Sequence, residues 1–105
     1  MIGAGTYATD KAAAVSATGH GEEFIRHCAS FDVVSRMTLG KLSLHDAMSQ
    51  TVFDVLPDKS GGMIGVTARG DISMQFNCGG MFRGSCDSHG SARIGVWEEE
   101  IQIKI

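Results

Sequence analysis

A chain of 105 residues lies within the range of one domain with a modest core, and 43% apolar against 20% charged residues marks it as globular rather than disordered. A net charge of −3 with scattered Lys and Arg gives no basic stripe to follow a phosphate backbone, which argues against nucleic acid as a partner. No apolar run approaches the roughly 20 residues of a membrane span, and Cys28, Cys78 and Cys86 are odd in number, lack a CxxC pair and follow no signal-peptide pattern, which points to a reducing, cytoplasmic setting.

From the start, GAGTYATD over residues 3–10 reads as turns, and AAAVSAT over residues 12–18 as a buried strand that stops at Gly19-His20-Gly21. Glu22 and Glu23 then suit the first turn of a helix. Phe24, Cys28, Phe31, Val34 and Met37 keep helical spacing as far as Gly40, and Ile25, Ala29 and Val33 widen the apolar surface. A second helix opens at Ser43, whose hydroxyl with Asp46 three residues on resembles a capping box. Leu44, Ala47, Met48, Thr51, Val52 and Val55 make its apolar stripe, and Pro57 ends it.

The period then changes. Residues 63–68 form a compact apolar strand, Arg69-Gly70-Asp71 a turn, and Ile72, Met74 and Phe76 alternate as a second strand, together a hairpin. Residues 77–90 read as a Gly- and Cys-containing loop, 92–97 as a last strand, Glu98 to Glu100 as a solvated acidic run, and IQIKI as an alternating tail. The order implies an α/β chain of the α+β layered kind, with helices packed on a largely antiparallel sheet.

The candidate site is ATGHGEE. A strand that turns through glycines into a helix leaves backbone N–H groups aimed at the strand's carboxyl end, where they can hold an anion. The hydroxyl of Thr18 and the N–H of Gly19, if convergent, suit the oxyanion of a tetrahedral intermediate. By pattern alone an ordinary strand-to-helix turn explains the segment better. GAGTYA superficially matches a dinucleotide-binding turn, but only Met1 and Ile2 precede its first glycine where a strand is required. Arg69-Gly70-Asp71 spells an adhesion tripeptide that a turn explains fully. Cys78, Cys86 and His89 are too loosely spaced for a zinc site, so no metal is expected. His27 and Cys28 are adjacent on the expected helix and point apart.

The stretch IGAGTYATDKAAAVSATGHGEEFIRHCASFDVVSRM, followed in order by KLSLHDA, GGMIGV and FNCGGMFRG, resembles the plant-type L-asparaginase/isoaspartyl peptidase family, here the back half of its β-subunit. TGHGE with GAGTYA favours this branch over the glycosylasparaginases and taspases. The resemblance implies the αββα sandwich of N-terminal-nucleophile hydrolases, of which residues 1–105 are one partial domain and residues 98–105 a divergent tail. It implies no cofactor, and hydrolysis of L-asparagine or a β-aspartyl peptide by a threonine that is its own subunit's first residue and whose amine acts as base. Thr18 then supplies a hydroxyl and Gly19 an N–H to the oxyanion, Gly21 lies near the substrate's α-amino group, and His20 orients or packs.

The resemblance also implies what lies elsewhere. The family's nucleophilic threonine and the arginine and aspartate that grip substrate precede GAGTYA. Thr6, Thr9, Thr38, Thr51 and Thr67 stand in other contexts, and Cys78 takes the threonine place of the FN-T segment. The chain alone is therefore expected to be an inactive fragment. It would need the α-subunit and the front half of the β-subunit in an αβ-type oligomer. The alternative is a non-catalytic binding or assembly module that pairs with an intact homologue through exposed sheet edges.

Overall fold

The computed structural model describes residues 1–104. Strands β1 (Thr6–Ala8), β2 (Ala13–Gly19), β3 (Gly61–Thr67) and β4 (Ile72–Phe76) form one antiparallel sheet in that order. Between β2 and β3 the chain makes α1 (Gly21–His27), α2 (Ala29–Thr38) and α3 (Leu44–Ser49), the last continuing as a π-helical turn over Gln50–Val55. A second antiparallel sheet holds β5 (Arg83–Cys86), β6 (Ser91–Gly95) and β7 (Glu100–Lys104). This is an α+β layered fold with two antiparallel sheets, and no helix among the described residues is long and apolar enough to cross a membrane.

Strand alternation sorts the first sheet into two unlike faces. Ala13 and Val15 of β2, with Met63 of β3, point to the helices and are buried with Val33 and Val34 of α2, Leu44, Ala47 and Met48 of α3, and Val52. Gly65 sits in the same row. A Cβ there would lie 3.1 Å from both Leu44 Cδ1 and Met48 Cε, so the bare backbone is what lets α3 press close to the sheet. The opposite face carries Ser16, Thr18, Ile64 and Val66, with Ile64 45% and Val66 47% exposed. The helical layer covers one side only.

The two expected helices are seen with one difference each. Ser43 Oγ accepts from the Asp46 N–H at 3.1 Å and caps α3, and of the expected stripe Leu44, Ala47, Met48, Thr51 and Val52 are buried while Val55 is half-buried. The helix widens into a π-turn from Gln50, where Thr51 Oγ1 donates at 2.7 Å to Asp32 on α2 and lies 3.2 Å from the Ala47 carbonyl. Asp32 also receives Arg36 Nε at 3.0 Å, which satisfies its charge between the helices.

The first helix is two, not one. Cys28 takes a left-handed conformation at φ 50, and this breaks the run between α1 and α2. The break frees the start of α2 to donate outward: Ser30 N–H and Oγ both bond the Ala4 carbonyl, and Phe31 N–H bonds that of Gly3. GAGTYA is thereby tied to α2. Three further differences are the strand β1 inside that turn region, β5 inside the expected loop, and β7 in the tail.

Candidate functional site

Strand β2 ends where β3 begins, with Gly19 opposite Gly61 and Thr18 opposite Gly62. Gly19 has φ 137 and Gly61 φ 145, conformations that side-chain-bearing residues avoid. The approach is also too close for a Cβ on either. One on Gly19 would overlap the Ser60 carbonyl and lie 2.7 Å from Gly61 Cα, and one on Gly61 would overlap the Thr18 carbonyl. His20 N–H closes the join by donating to Ser60 O at 2.8 Å.

That bond fixes which way the neighbouring amides face. Ala17 N–H points to the β1 side, where it donates to Gly5 O at 2.9 Å, while His20 N–H points to the β3 side. Alternation along the strand therefore turns the Gly19 N–H to the β1 side, past the last residue that β1 pairs. There it meets a cleft of about 340 Å³ lined by Thr18, Gly19 and Gly21, with Ala4, Gly5 and Phe24 among the walls. The three residues singled out from sequence thus share one cleft.

The surroundings refine that picture. Helix α1 has only seven residues, and its N-cap His20 makes no side-chain cap bond, so no long helix dipole faces the cleft. His20 is exposed and its imidazole is not part of the cleft lining. Ala4 and Gly5, which read as plain turn residues, form the opposite wall.

Asn77 was also missed as a positioning residue. Its Oδ1 accepts the Gly61 N–H at 3.0 Å, and its Nδ2 donates to the carbonyls of Val52 and Pro57, each at 2.9 Å. One amide group thus locks the start of β3, opposite Gly19, to the end of the π-turn. The other candidates stay apart. His27 Nε2 lies 3.9 Å from Glu23 and Cys28 is the helix break, Cys78 Sγ donates to the Gly80 carbonyl, and no group of three or more His, Cys, Asp or Glu gathers among the described residues. Arg69 and Asp71 flank Gly70 in the turn, where both their amides bond Thr67 Oγ1.

The helical layer thus lies on one side of an antiparallel sheet, and a glycine-bounded strand end opens into a cleft. The Asparaginase family model matches residues 1–96, and the chain belongs to that family. It is 40% identical over 101 residues to the isoaspartyl peptidase of Salmonella typhimurium, covering 94% of this chain and 32% of that protein. It is 37% identical over 102 residues to the isoaspartyl peptidase of Escherichia coli, covering 95% and 32%. A probable isoaspartyl peptidase/L-asparaginase 2 of Arabidopsis thaliana is 37% identical over 98 residues, covering 93% and 30%. The chain spans about a third of the length of these relatives.

Proposed function

We propose that these 105 residues carry the oxyanion-binding part of a cytoplasmic amidohydrolase that cleaves L-asparagine or β-aspartyl peptides. The observation that carries the proposal is the shared cleft of Thr18, Gly19 and Gly21, with the Gly19 amide turned toward it. In the proposed reaction a threonine hydroxyl contributed from outside these 105 residues attacks the side-chain carbonyl, and its own amine takes the proton. Charge collects on the carbonyl oxygen, where the Thr18 hydroxyl and Gly19 N–H each donate a hydrogen bond. Donors already fixed by the β2–β3 join need no reorganisation as the charge develops, and each is worth about 3 kcal/mol of barrier. Gly21, without a side chain, leaves room for the substrate's α-amino end. The intermediate collapses as the C–N bond breaks and the departing ammonia or peptide amine takes the proton back from the threonine's amine; water then opens the acyl-enzyme, releasing the aspartyl product and restoring the hydroxyl.

The cleft lining contains no carboxylate, imidazole or thiol. An oxyanion hole has nothing to stabilise without a nucleophile beside it. The 105-residue protein, folded by circular dichroism, is therefore expected to release no ammonia from L-asparagine and no leucine from β-aspartyl-leucine. Turnover of either would overturn the division of labour proposed here.

A second reading, that the chain serves as an assembly module for an intact homologue, draws on the apolar face of the first sheet that no helix covers, at Ile64 and Val66. The two readings share a geometry, because in an αββα sandwich that face would meet a second sheet. Co-purification with an intact homologue would favour the module, and a monomer that stays alone would count against it.

A further inference from the structure

Strand β7 lies outside the family match, which ends at residue 96, and outside the cleft. Among the described residues it is the terminal strand of the second sheet, and all five of its residues are exposed. Its register against β6 sets Ile101 opposite Ile94 and Ile103 opposite Ala92, so these four share one face. Arg93, Glu100, Gln102 and Lys104 share the other. The apolar row is open to solvent, with Ile94 45%, Ile101 65% and Ile103 43% exposed.

Such an edge offers unpaired backbone groups to any strand of matching pattern. The residues of β7, Glu-Ile-Gln-Ile-Lys, complement themselves when reversed, since only the Glu and Lys at the ends change places. In an antiparallel pair centred on Gln102, Glu100 of one copy faces Lys104 of the other at both ends, and Ile101 faces Ile103. A parallel pair in register would instead set Glu100 against Glu100 and Lys104 against Lys104, which like charges disfavour. Slipping the antiparallel pair by one residue places isoleucines opposite charged groups and splits the apolar row. Charge and face alternation therefore select one partner and one register.

We propose that β7 is a self-association edge, pairing antiparallel with β7 of a second copy about Gln102 to join two three-stranded sheets into one of six strands. The apolar rows of both copies then run on continuously across the join. Within each copy Arg83, its side chain 3% exposed, holds the strand in place: its Nε contacts Glu100 Oε2 at 3.1 Å while its other nitrogens donate to the Met81 and Glu98 carbonyls. Glu100 Oε1 also lies 3.8 Å from Arg93. The strand is thus anchored from behind and presents its free edge outward.

The test is sedimentation of the whole chain across the micromolar range. A monomer–dimer equilibrium is expected, and Lys104→Glu, which leaves the Arg83 contacts intact but brings carboxylates together at both ends, is expected to weaken the dimer by about tenfold. Gln102→Cys should form an oxidised, disulfide-linked dimer well above the level of the parent chain treated alike, because the two-fold register sets that position against itself. This cross-link also decides the matter where association through the first sheet's open face blurs the boundary. A monomer throughout, a dimer indifferent to Lys104→Glu, or cross-linking no greater than in the parent would each overturn the proposal.

Discussion

Gly61→Ala is expected to lower the stability of the chain by about 2–4 kcal/mol, as the sum of backbone strain at φ 145 and a steric overlap that only backbone movement can relieve. The added Cβ would overlap the Thr18 carbonyl and lie 2.8 Å from Gly19 Cα, so relief requires the ends of β2 and β3 to separate. That loss is a large fraction of the ~5–15 kcal/mol that holds a domain together. Gly79 provides the control, because nothing lies within 4 Å of its added Cβ and its backbone is not in the left-handed region. Gly79→Ala should change stability by less than ~0.5 kcal/mol. Urea unfolding of the three proteins measures both. Equal midpoints for Gly61→Ala and the parent would mean that the β2–β3 join is looser than described.

Met48→Ala should cost about 3–5 kcal/mol. Met48 is fully buried between α3 and the sheet and reaches Gly65, so the vacated space has no side chain on the strand to collapse into it. Met48→Leu nearly conserves volume and should cost less than ~1.5 kcal/mol. The contrast separates packing from mere hydrophobicity. Urea midpoints that fall equally for both would show that the methionine's shape, not its volume, is what the site requires.

These two positions also show where sequence sufficed. The Met48 stripe was readable because a capped helix with Leu44, Ala47, Met48, Thr51 and Val52 at helical spacing carries its own address. The β3–β4 hairpin was readable for the same local reason, with Gly70 at φ 92 making the turn. Cys28 was not. Nothing in His-Cys-Ala favours a left-handed residue, and the break follows from carbonyls of Gly3 and Ala4 that accept the first amides of α2 from far back in the chain. Strand β5 likewise owes its form to pairing with β6, since Arg-Gly-Ser-Cys has little strand character of its own.

The site divides similarly. Thr18, Gly19 and Gly21 were named from a local motif and the resemblance, and the structure brings them to one cleft. The direction of the Gly19 amide depends on strand register, and the part of Asn77 depends on three bonds to distant backbone, neither of which is written in any short stretch. Reading GAGTYA as plain turns overlooked that Ala4 and Gly5 would become a wall of the same cleft.

The central claim is that Thr18 helps to hold the oxyanion, and the measurement that tests it most directly is turnover of β-aspartyl-leucine by a graft. Residues 1–96 replace the matching stretch of the Escherichia coli isoaspartyl peptidase, with which this chain shares 37% identity. The graft is expected to release leucine, and Thr18→Val within it, which keeps the shape and removes the hydroxyl, to lower kcat by about 10²–10³-fold with little change in KM. An active graft whose kcat is untouched by Thr18→Val would contradict the account.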